Sequence, residues 1–519
     1  MQFERLFMSF KNSTALLSVG FAALTASPAL ADITADDVWN SYQAFAQSIG
    51  GEMTGTLNRD GNTVDFTEPK LRLAFPADQG SFEILYPTLS FNDNGDGTLS
   101  IDLDGPQTYR FVVTGPNPET DRISADIVVD YVDAQLTASG APDDITFTYA
   151  LDGFTFETRN VDFGDLPNAK DGDFTISGSG AAVKGTSQLA LGDLITLIGN
   201  SNFGNISYSL QATDPNGSTS TTTGTYEGMT GQSKVTLPTG GMSILNLAAA
   251  LHQGLSFNYS GTTTSSDTKT VVVVDGNEVS SQAMTAGAAT STVSASTDAV
   301  QLTTEATDID VGIAINEGMA IAMDGAFDRM TGDFRVPVSM SEEPQDFTLA
   351  FGLEGIKLGE GLWGMFDPAA ILPRDAATLV MNLTGKTTLL HDLLNFEEMM
   401  QLSDGDVPAQ LNELTINELH VSAAGASVSA TGDFAFNNDD LVSFDGMPAP
   451  SGSAELQVSG ANGLIDKLIE MGLVAESDAM GARMMMGMFA VPGEGEDSLK
   501  SNLEITKDGK ILANGQRIK

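Results

Sequence analysis

The 519-residue sequence contains no cysteine, two tryptophans and three histidines. Without cysteine the chain cannot form disulfides, use a catalytic thiol, attach c-type haem or bind zinc through thiolates. It also lacks the lipidated cysteine that every lipoprotein requires. The folded state must therefore depend on the packing of its core, and a chain of this length buries enough of its surface for that.

Basic residues are also scarce in this sequence. It has 24 Lys and Arg against 69 Asp and Glu, which gives a formal net charge of −45. A polyanion of this charge has no bulk attraction for nucleic acid or for an anionic lipid surface. The acids are scattered singly, which is typical of solubility in a salty habitat, and binding of divalent cations is the alternative interpretation.

The N-terminus has the organisation of an export signal. After two basic residues comes an apolar stretch over residues 14–26, then Pro28 and the small-x-small site Ala29-Leu30-Ala31. This order predicts a signal peptide over residues 1–31, with Asp32 as the first mature residue. The stretch is shorter than the roughly 20 apolar residues of a membrane-spanning helix. We predict no transmembrane span elsewhere and expect the periplasm, with the extracellular medium as the alternative.

Alternating apolar and polar residues predict the fold class. Residues 147–149, 154–156 and 309–315 alternate, which places one face of a strand on a core and the other in water. Asn and Gly at 94–97 and 275–277 favour hairpin turns between such runs. The sequence therefore predicts a mainly β (β-rich α+β) fold. Its extended, mostly antiparallel sheet carries a few short packed helices.

Helical spacing is confined to a few short segments. Thr34 with Asp37 resembles a capping box, and Gly50-Gly51 ends the apolar pattern that follows. Two C-terminal segments have Asn462 and Ser477 at their capping positions. The helices predicted in this way cover residues 34–49, 244–251, 389–394, 464–471 and 478–489.

Composition also suggests how the chain is divided. Residues 213–232 and 260–298 are rich in Ser, Thr and Gly, which is consistent with linkers or with polar strands. We place a lobe boundary near Gly231. The prediction is an N-terminal β-rich lobe over residues 32–231 and a C-terminal β-rich lobe with helices over residues 232–519.

One loop imitates the start of a calcium site. Asn92, Asn94, Asp96 and Gly97 match the first positions of a calcium-binding loop, but Leu103 stands where the pattern requires a bidentate Glu. A simple hairpin is the favoured interpretation, and Asn92, Asn94 and Asp96 remain weak metal candidates.

No catalytic or cofactor-binding constellation is present in the sequence. Residues 359–364 match G-x-G-x-x-G, but bulky residues crowd the turn and prolines follow. A tight turn leading Trp363 and Phe366 into the core is the favoured interpretation. The three histidines lie far apart and have no H-x-x-x-H spacing. We therefore predict no catalytic residue and no cofactor.

Methionines crowd one C-terminal helical segment. Met480, Met484 and Met488 share one face at i, i+4 and i+8, and Met485 and Met486 lie beside them. Core packing is the favoured interpretation. The alternatives are an adaptable apolar surface formed by Met480, Met484, Met485 and Met488, and thioether binding of Cu(I).

A family resemblance is carried by residues 94–98, 362–368, 372–375, 463–466, 480–483, 489–497 and 513–517. Through these segments the mature chain resembles, nearly end to end, an uncharacterised alphaproteobacterial family called domain of unknown function 2125. The resemblance implies export and a β-rich body, with residues 32–519 as one continuous domain in an alternative division of the chain. It implies no activity or ligand.

These observations favour one functional class over two others. We expect a non-enzymatic exported envelope protein that binds an apolar ligand, such as a lipid, or an envelope protein partner. The alternatives are a carboxylate-dependent hydrolase, because acids are plentiful, and a calcium-stabilised structural protein.

The predicted cleavage after Ala31 has a direct test. Intact-mass analysis and N-terminal sequencing of the protein isolated from its own cells should give Asp32 as the first residue. Recovery of a chain that still begins at Met1 would contradict the predicted signal peptide.

Overall fold

The computed structural model confirms the mainly β class. Strands account for 63% of the structure and helices for 12%, and the strands pair antiparallel. The predicted signal peptide, with Ala31 and Asp32, lies outside the described residues. Those residues are 33–76, 79–115, 122–164, 172–318, 320–403 and 406–518.

The chain divides into two compact units, one ending at Ser281 and the other beginning at Gln282. The first unit contains helices α1 (Ala35–Ser48) and α2 (Leu247–His252). Its strands are β1 (Glu52–Asp60), β2 (Thr63–Ala74), β3 (Gly80–Leu85), β4 (Thr88–Asp93), β5 (Leu99–Asp104), β6 (Gln107–Thr114), β7 (Arg122–Val132), β8 (Gln135–Ala141), β9 (Asp144–Asp162), β10 (Asp173–Ala190), β11 (Leu194–Thr213), β12 (Thr219–Pro238), β13 (Ser256–Thr263) and β14 (Ser265–Val274).

The second unit is a succession of hairpins, preceded by β15 (Asn277–Ala286), which spans the division. Its helices are α3 (Glu360–Phe366), α4 (Phe396–Met399), α5 (Ala461–Glu470) and α6 (Glu476–Phe489). Its strands are β16 (Ala289–Ala295), β17 (Val300–Ile315), β18 (Ile321–Val336), β19 (Gln345–Leu358), β20 (Ala377–Leu389), β21 (Ala409–Ala423), β22 (Ala426–Asn437), β23 (Ala449–Ser459), β24 (Val491–Pro492), β25 (Ser498–Ile505), β26 (Ile511–Ala513) and β27 (Gln516–Arg517).

Helix α1 organises the core of the first unit. The predicted capping box is confirmed, because Thr34 N donates to Asp37 Oδ2 at 2.9 Å and Asp37 N donates to the Thr34 hydroxyl. Val38 is fully buried, and the Trp39 ring stacks on Phe66 at 4.5 Å between centroids. The apolar face of the helix therefore closes the sheet below it.

The long strands β9 to β12 extend beyond this core. The buried residues of β9 and β11 lie in their first halves, and the second halves are half-buried or exposed. In β9, Phe154 and Phe156 lie opposite Gly180 and Gly178 of β10. Each ring occupies the space that a side chain on the opposite glycine would need. These rings cover the backbone of β10 at its glycine positions.

Two of the predicted helices are close to the observed ones, and one is wrong. The segment over residues 34–49 corresponds to α1, and the segment over residues 244–251 is the shorter α2, capped by Asn246. The helix predicted over residues 389–394 is wrong because Leu389 ends β20, paired with Ala409. Helix α4 begins only after Asn395.

The two C-terminal helices are present, but they begin earlier than predicted. Gly460 and Ala475 are the N-cap residues of α5 and α6, so the caps predicted at Asn462 and Ser477 are wrong. Gly460 adopts a φ of 70°, and a Cβ there would collide with the backbone of Gly425. No helix among the described residues has both the length and the apolar character needed to cross a bilayer.

The Ser- and Thr-rich stretches form strands. Residues 219–232 belong to β12, and most of residues 260–298 belong to β13 to β16. Gly231 lies within β12, where it faces Gly261 of β13. The lobe boundary placed near Gly231 stays a prediction.

The aromatic cover of the long strands makes a testable contribution to stability. Gly180→Ala should destabilise the protein by about 1–3 kcal/mol, because the new methyl group collides with the Phe154 ring. Urea unfolding followed by far-ultraviolet circular dichroism measures this loss. The strand glycine Gly312 has open space around its Cβ position, so Gly312→Ala is the matched control and should change stability by less than about 1 kcal/mol.

A second variant separates the collision from a general effect on the strand. In a Phe154→Ala background the ring is gone, so Gly180→Ala should cost less than it does alone. Equal costs in the two backgrounds would show that the ring does not occupy this space.

Candidate functional site

The methionine-rich helix α6 exposes its apolar side chains. Met480, Met484, Met485 and Met488 are 73%, 66%, 57% and 61% exposed, and these four residues are called the methionine face below. Only Ala479 of α6 is buried. Core packing, favoured from the spacing, is therefore not the role of these side chains.

The apolar surface continues in sequence on both sides of the methionine face. Leu473 before α6 is 59% exposed, and Val491 after it is 45% exposed. Unbranched thioether side chains adapt their shape to an apolar partner. Met480, Met484 and Met488 are neighbours on one helix face, and contiguous exposed apolar surface marks an interaction site more often than isolated exposed residues do.

Asp497 fixes the start of α5, the helix that supports α6. Its carboxylate accepts hydrogen bonds from Asn462 N at 3.1 Å, Asn462 Nδ2 at 2.7 Å and Gly463 N at 2.9 Å. Burial works to raise the pKa of Asp497, but these hydrogen bonds, with Arg483 nearby, outweigh it and hold that pKa below its ordinary value. The ionised carboxylate is thus the N-terminal anchor of α5.

Arg483 of α6 ties the two helices together. Its Nη2 donates to Asp466 Oδ1 at 2.6 Å, and its Nε donates to Asn462 Oδ1 at 3.1 Å. Helix α5 in turn packs against β22. The methionine face is therefore presented on a support of defined geometry.

The end of α6 is held by the last strands of the chain. The Phe489 carbonyl accepts hydrogen bonds from the Ser501 hydroxyl and, at 3.0 Å, from Asn514 Nδ2. Asn514 and Gly515, both with positive φ, form the turn between β26 and β27. Both ends of the α5–α6 pair are thus fastened by polar contacts.

Acidic residues lie close to the methionine face in the sequence. Glu476 and Asp478 lie in the first turn of α6, where carboxylates also favour the helix dipole. Glu494 and Glu496 follow its C-terminal end. These four exposed residues form the acidic rim, and none has a salt bridge to a basic group within the described part of the chain.

The calcium-like loop is a hairpin between β4 and β5 whose polar groups bond to one another. Asp96 Oδ1 accepts from Thr98 N at 3.1 Å and from the Thr98 hydroxyl at 2.6 Å, and these bonds lower the pKa of Asp96. Asn92 donates to Asp102, and Asn94 donates to Thr98. Calcium binding there stays a prediction.

The G-x-G-x-x-G segment forms the start of α3. Gly359 is its N-cap, Trp363 is buried, and the Arg374 guanidinium lies 4.0 Å from the centre of the Trp363 ring. Phe366 is 39% exposed, so the expectation that both aromatic residues enter the core is correct only for Trp363. Asp367, 1% exposed, accepts hydrogen bonds from two backbone amides of the following loop.

The second unit has a groove of about 380 Å³ beside β17 and β18. Met284 and Leu358 supply apolar walls, and Asp310 and Asp324 supply carboxylates. Both carboxylate side chains are exposed. Lys357 is paired with Asp328 at 2.6 Å. The groove offers carboxylates in water and no closed catalytic chamber.

The histidines do not assemble a metal centre in the described ranges. His391 Nδ1 lies 2.6 Å from Glu398 Oε1, at the start of α4. His420 lies on β21, between Val380 and Ser429 of its neighbours. Among residues 33–518, apart from the undescribed gaps, no group of three or more His, Asp and Glu side chains has the geometry to hold a metal.

Sequence reasoning missed the contacts that position the methionine face. Asp497 and Asn514 act on residues far from them in the sequence, which no local pattern reveals. The signal that was available is the family resemblance, because its segments include Asp466, Arg483, Asp497 and Asn514.

Comparison with known proteins places part of the chain in a bacterial family. A family model described as "Uncharacterized protein conserved in bacteria (DUF2125)" matches residues 244–516. The matched range covers more than half of the chain and includes α5, α6 and the strands that anchor them. The Asn94–Thr98 hairpin, which also carries the resemblance, lies outside it. No curated protein and no solved structure matches the chain.

The Asp497 anchor can be tested by hydrogen exchange. Asp497→Asn should speed exchange of the amides of residues 461–489, because hydrogen bonds to a charged acceptor contribute about 1.5–3 kcal/mol. Glu496→Gln removes a neighbouring carboxylate outside the anchor, so it should leave these exchange rates unchanged. Equal rates in both variants would contradict the anchoring role.

The same anchor predicts a pH dependence. The pKa of Asp497 is lowered in the folded chain, so its stabilisation is present above the ordinary pKa and is lost as pH falls below about 4. The protection of residues 461–489, corrected for the intrinsic pH dependence of amide exchange, should therefore fall at acid pH in the natural protein. In Asp497→Asn this acid-dependent loss of protection should be smaller.

Proposed function

This chain belongs to the DUF2125 family of uncharacterized bacterial proteins, and on that premise we propose that it is a non-enzymatic binding protein that docks a protein partner on the methionine face. The observation that carries the proposal is the exposure of four methionines on α6, a helix that Arg483 joins to α5 and whose C-terminal end is fastened. A pre-organised apolar face loses little conformational entropy when a partner covers it.

Charge favours a protein over an anionic membrane as the occupant of this face. The chain has a formal net charge of −45, and the acidic rim lies close to the methionines in the sequence. An anionic lipid surface would repel both. A protein can supply apolar contact and compensating charge together.

Our proposal places the protein in the periplasm. The support is the predicted signal peptide over residues 1–31, together with a cysteine-free sequence that carries no lipoprotein site. A partner would then be another envelope protein or an exported one.

The proposal is tested by making the methionine face polar. A variant with Met480, Met484, Met485 and Met488 replaced by Gln should lose its envelope partner by about tenfold or more, because several central apolar contacts are removed. Glutamine favours helix about as well as methionine, so α6 is retained. The measurement is quantitative mass spectrometry of proteins bound at near-equal stoichiometry to the tagged chain in its native envelope.

Two control variants make the result specific. The same four positions replaced by Leu remain apolar and should keep the partner. Replacement of the exposed Met340, Met400 and Met447 by Gln, away from α6 in the sequence, should also keep it. Equal capture of the partner by all variants would contradict the proposal. Recovery of a bound lipid instead of a protein, with binding that is lost in the Gln variant, would also contradict it.

A further inference from the structure

We infer that the partner docks through a basic amphipathic segment, with apolar side chains for the methionine face and positive charges beside them. The inference rests on the proposed function and adds the chemistry of the partner. Its basis is the exposed apolar side chains of α6 and the acidic residues near them.

The first observation is a short apolar stretch with acidic groups near it. Met480 and Met488 are eight residues apart, which is about 12 Å along a helix at 1.5 Å per residue. Glu476 lies one turn before Met480. Glu494 and Glu496 belong to the turn between β24 and β25, next to Asp497, which contacts the start of α5.

The second observation is the charge that remains after internal pairing. Residues 461–497 contain two basic and seven acidic residues, a net charge of 2 − 7 = −5. Asp466 is paired with Arg483, and Asp497 is occupied by the amides of α5. The four carboxylates of the acidic rim have no such partner within the described residues, and their field extends to solvent.

Complementarity follows from these two observations. An acidic segment over the methionines would bring like charges close to the rim carboxylates, which disfavours binding. A neutral segment would leave the charge of these carboxylates uncompensated. Lys or Arg beside an apolar stretch would compensate these carboxylates. An apolar stripe of about 12 Å is the contact length of two helical turns, so an amphipathic helix of the partner fits the face.

The experiment uses the full mature chain and two designed peptides. Both peptides share the same Leu positions for an amphipathic helix, and one carries Lys where the other carries Glu. A third peptide has the Lys and Leu residues in scrambled order. Fluorescence anisotropy at low and at physiological salt measures the dissociation constants. We expect the amphipathic Lys peptide to bind at least tenfold more tightly than the Glu peptide and the scrambled peptide.

Variants distinguish local complementarity from the general attraction of a polyanion. Neutralising the acidic rim (Glu476→Gln, Asp478→Asn, Glu494→Gln, Glu496→Gln) should weaken binding of the Lys peptide by about fivefold to tenfold. The matched control removes four exposed acidic residues elsewhere and should change binding less than twofold. Its substitutions are Glu278→Gln, Glu317→Gln, Glu342→Gln and Glu343→Gln.

The outcomes separate this inference from the proposed function. Equal loss in rim and control variants, or equal binding of the Lys and Glu peptides, would overturn the inference. The Gln variant of the methionine face could still lose its envelope partner in either case, which would leave the proposed function standing. Binding of the Lys peptide that is unchanged in that Gln variant would also overturn the inference, because the peptide would then lie elsewhere.

Discussion

Polar contacts fix the ends of the α5–α6 pair. The apolar side chains of α5 are half-buried and α6 buries a single residue, Ala479, so apolar packing here is less complete than in the core of the first unit. Asp497 at one end and Arg483 between the helices supply the fastening. Because the apolar side chains of α6 are not used to hold it in place, they remain available to a partner.

This arrangement contrasts with the way the rest of the chain is stabilised. In the first unit, α1 closes a core around Val38, Phe66 and Phe91, which are almost fully buried. The long strands beyond that core depend on aromatic rings lying over glycines, such as Phe154 over Gly180. In these regions the apolar side chains pack inside the folded chain. In α6 the apolar side chains of the methionine face are exposed.

The sequence predicts much of the fold because strands and capping boxes are local features. Alternation identified the sheet, and Thr34 with Asp37 identified the start of α1. The helix predicted over residues 389–394 failed because sheet pairing extends through Leu389, a tertiary contact that overrides local apolar spacing. The rest of the chain organisation depends on which strands pair with one another, and a local sequence pattern does not show that.

Only part of the candidate site could be predicted from the sequence. Spacing shows that Met480, Met484 and Met488 share one helical face, but it does not show whether that face meets the core or the solvent. The decisive contacts join Asp497 to Asn462 and Asn514 to Phe489 across long loops. Such pairings depend on how the strands return, which the composition of the segments does not encode.

Methionine oxidation tests the central claim, that α6 offers an open apolar face which a partner covers in the cell. Peroxide footprinting with peptide mass spectrometry compares the purified protein with intact cells, and Met400 and Met447 serve as exposed references. We predict that the methionine face is oxidised as fast as these references in the purified protein and several-fold more slowly in cells. Slow oxidation in the purified protein, or equal rates relative to the references in both settings, would contradict the account.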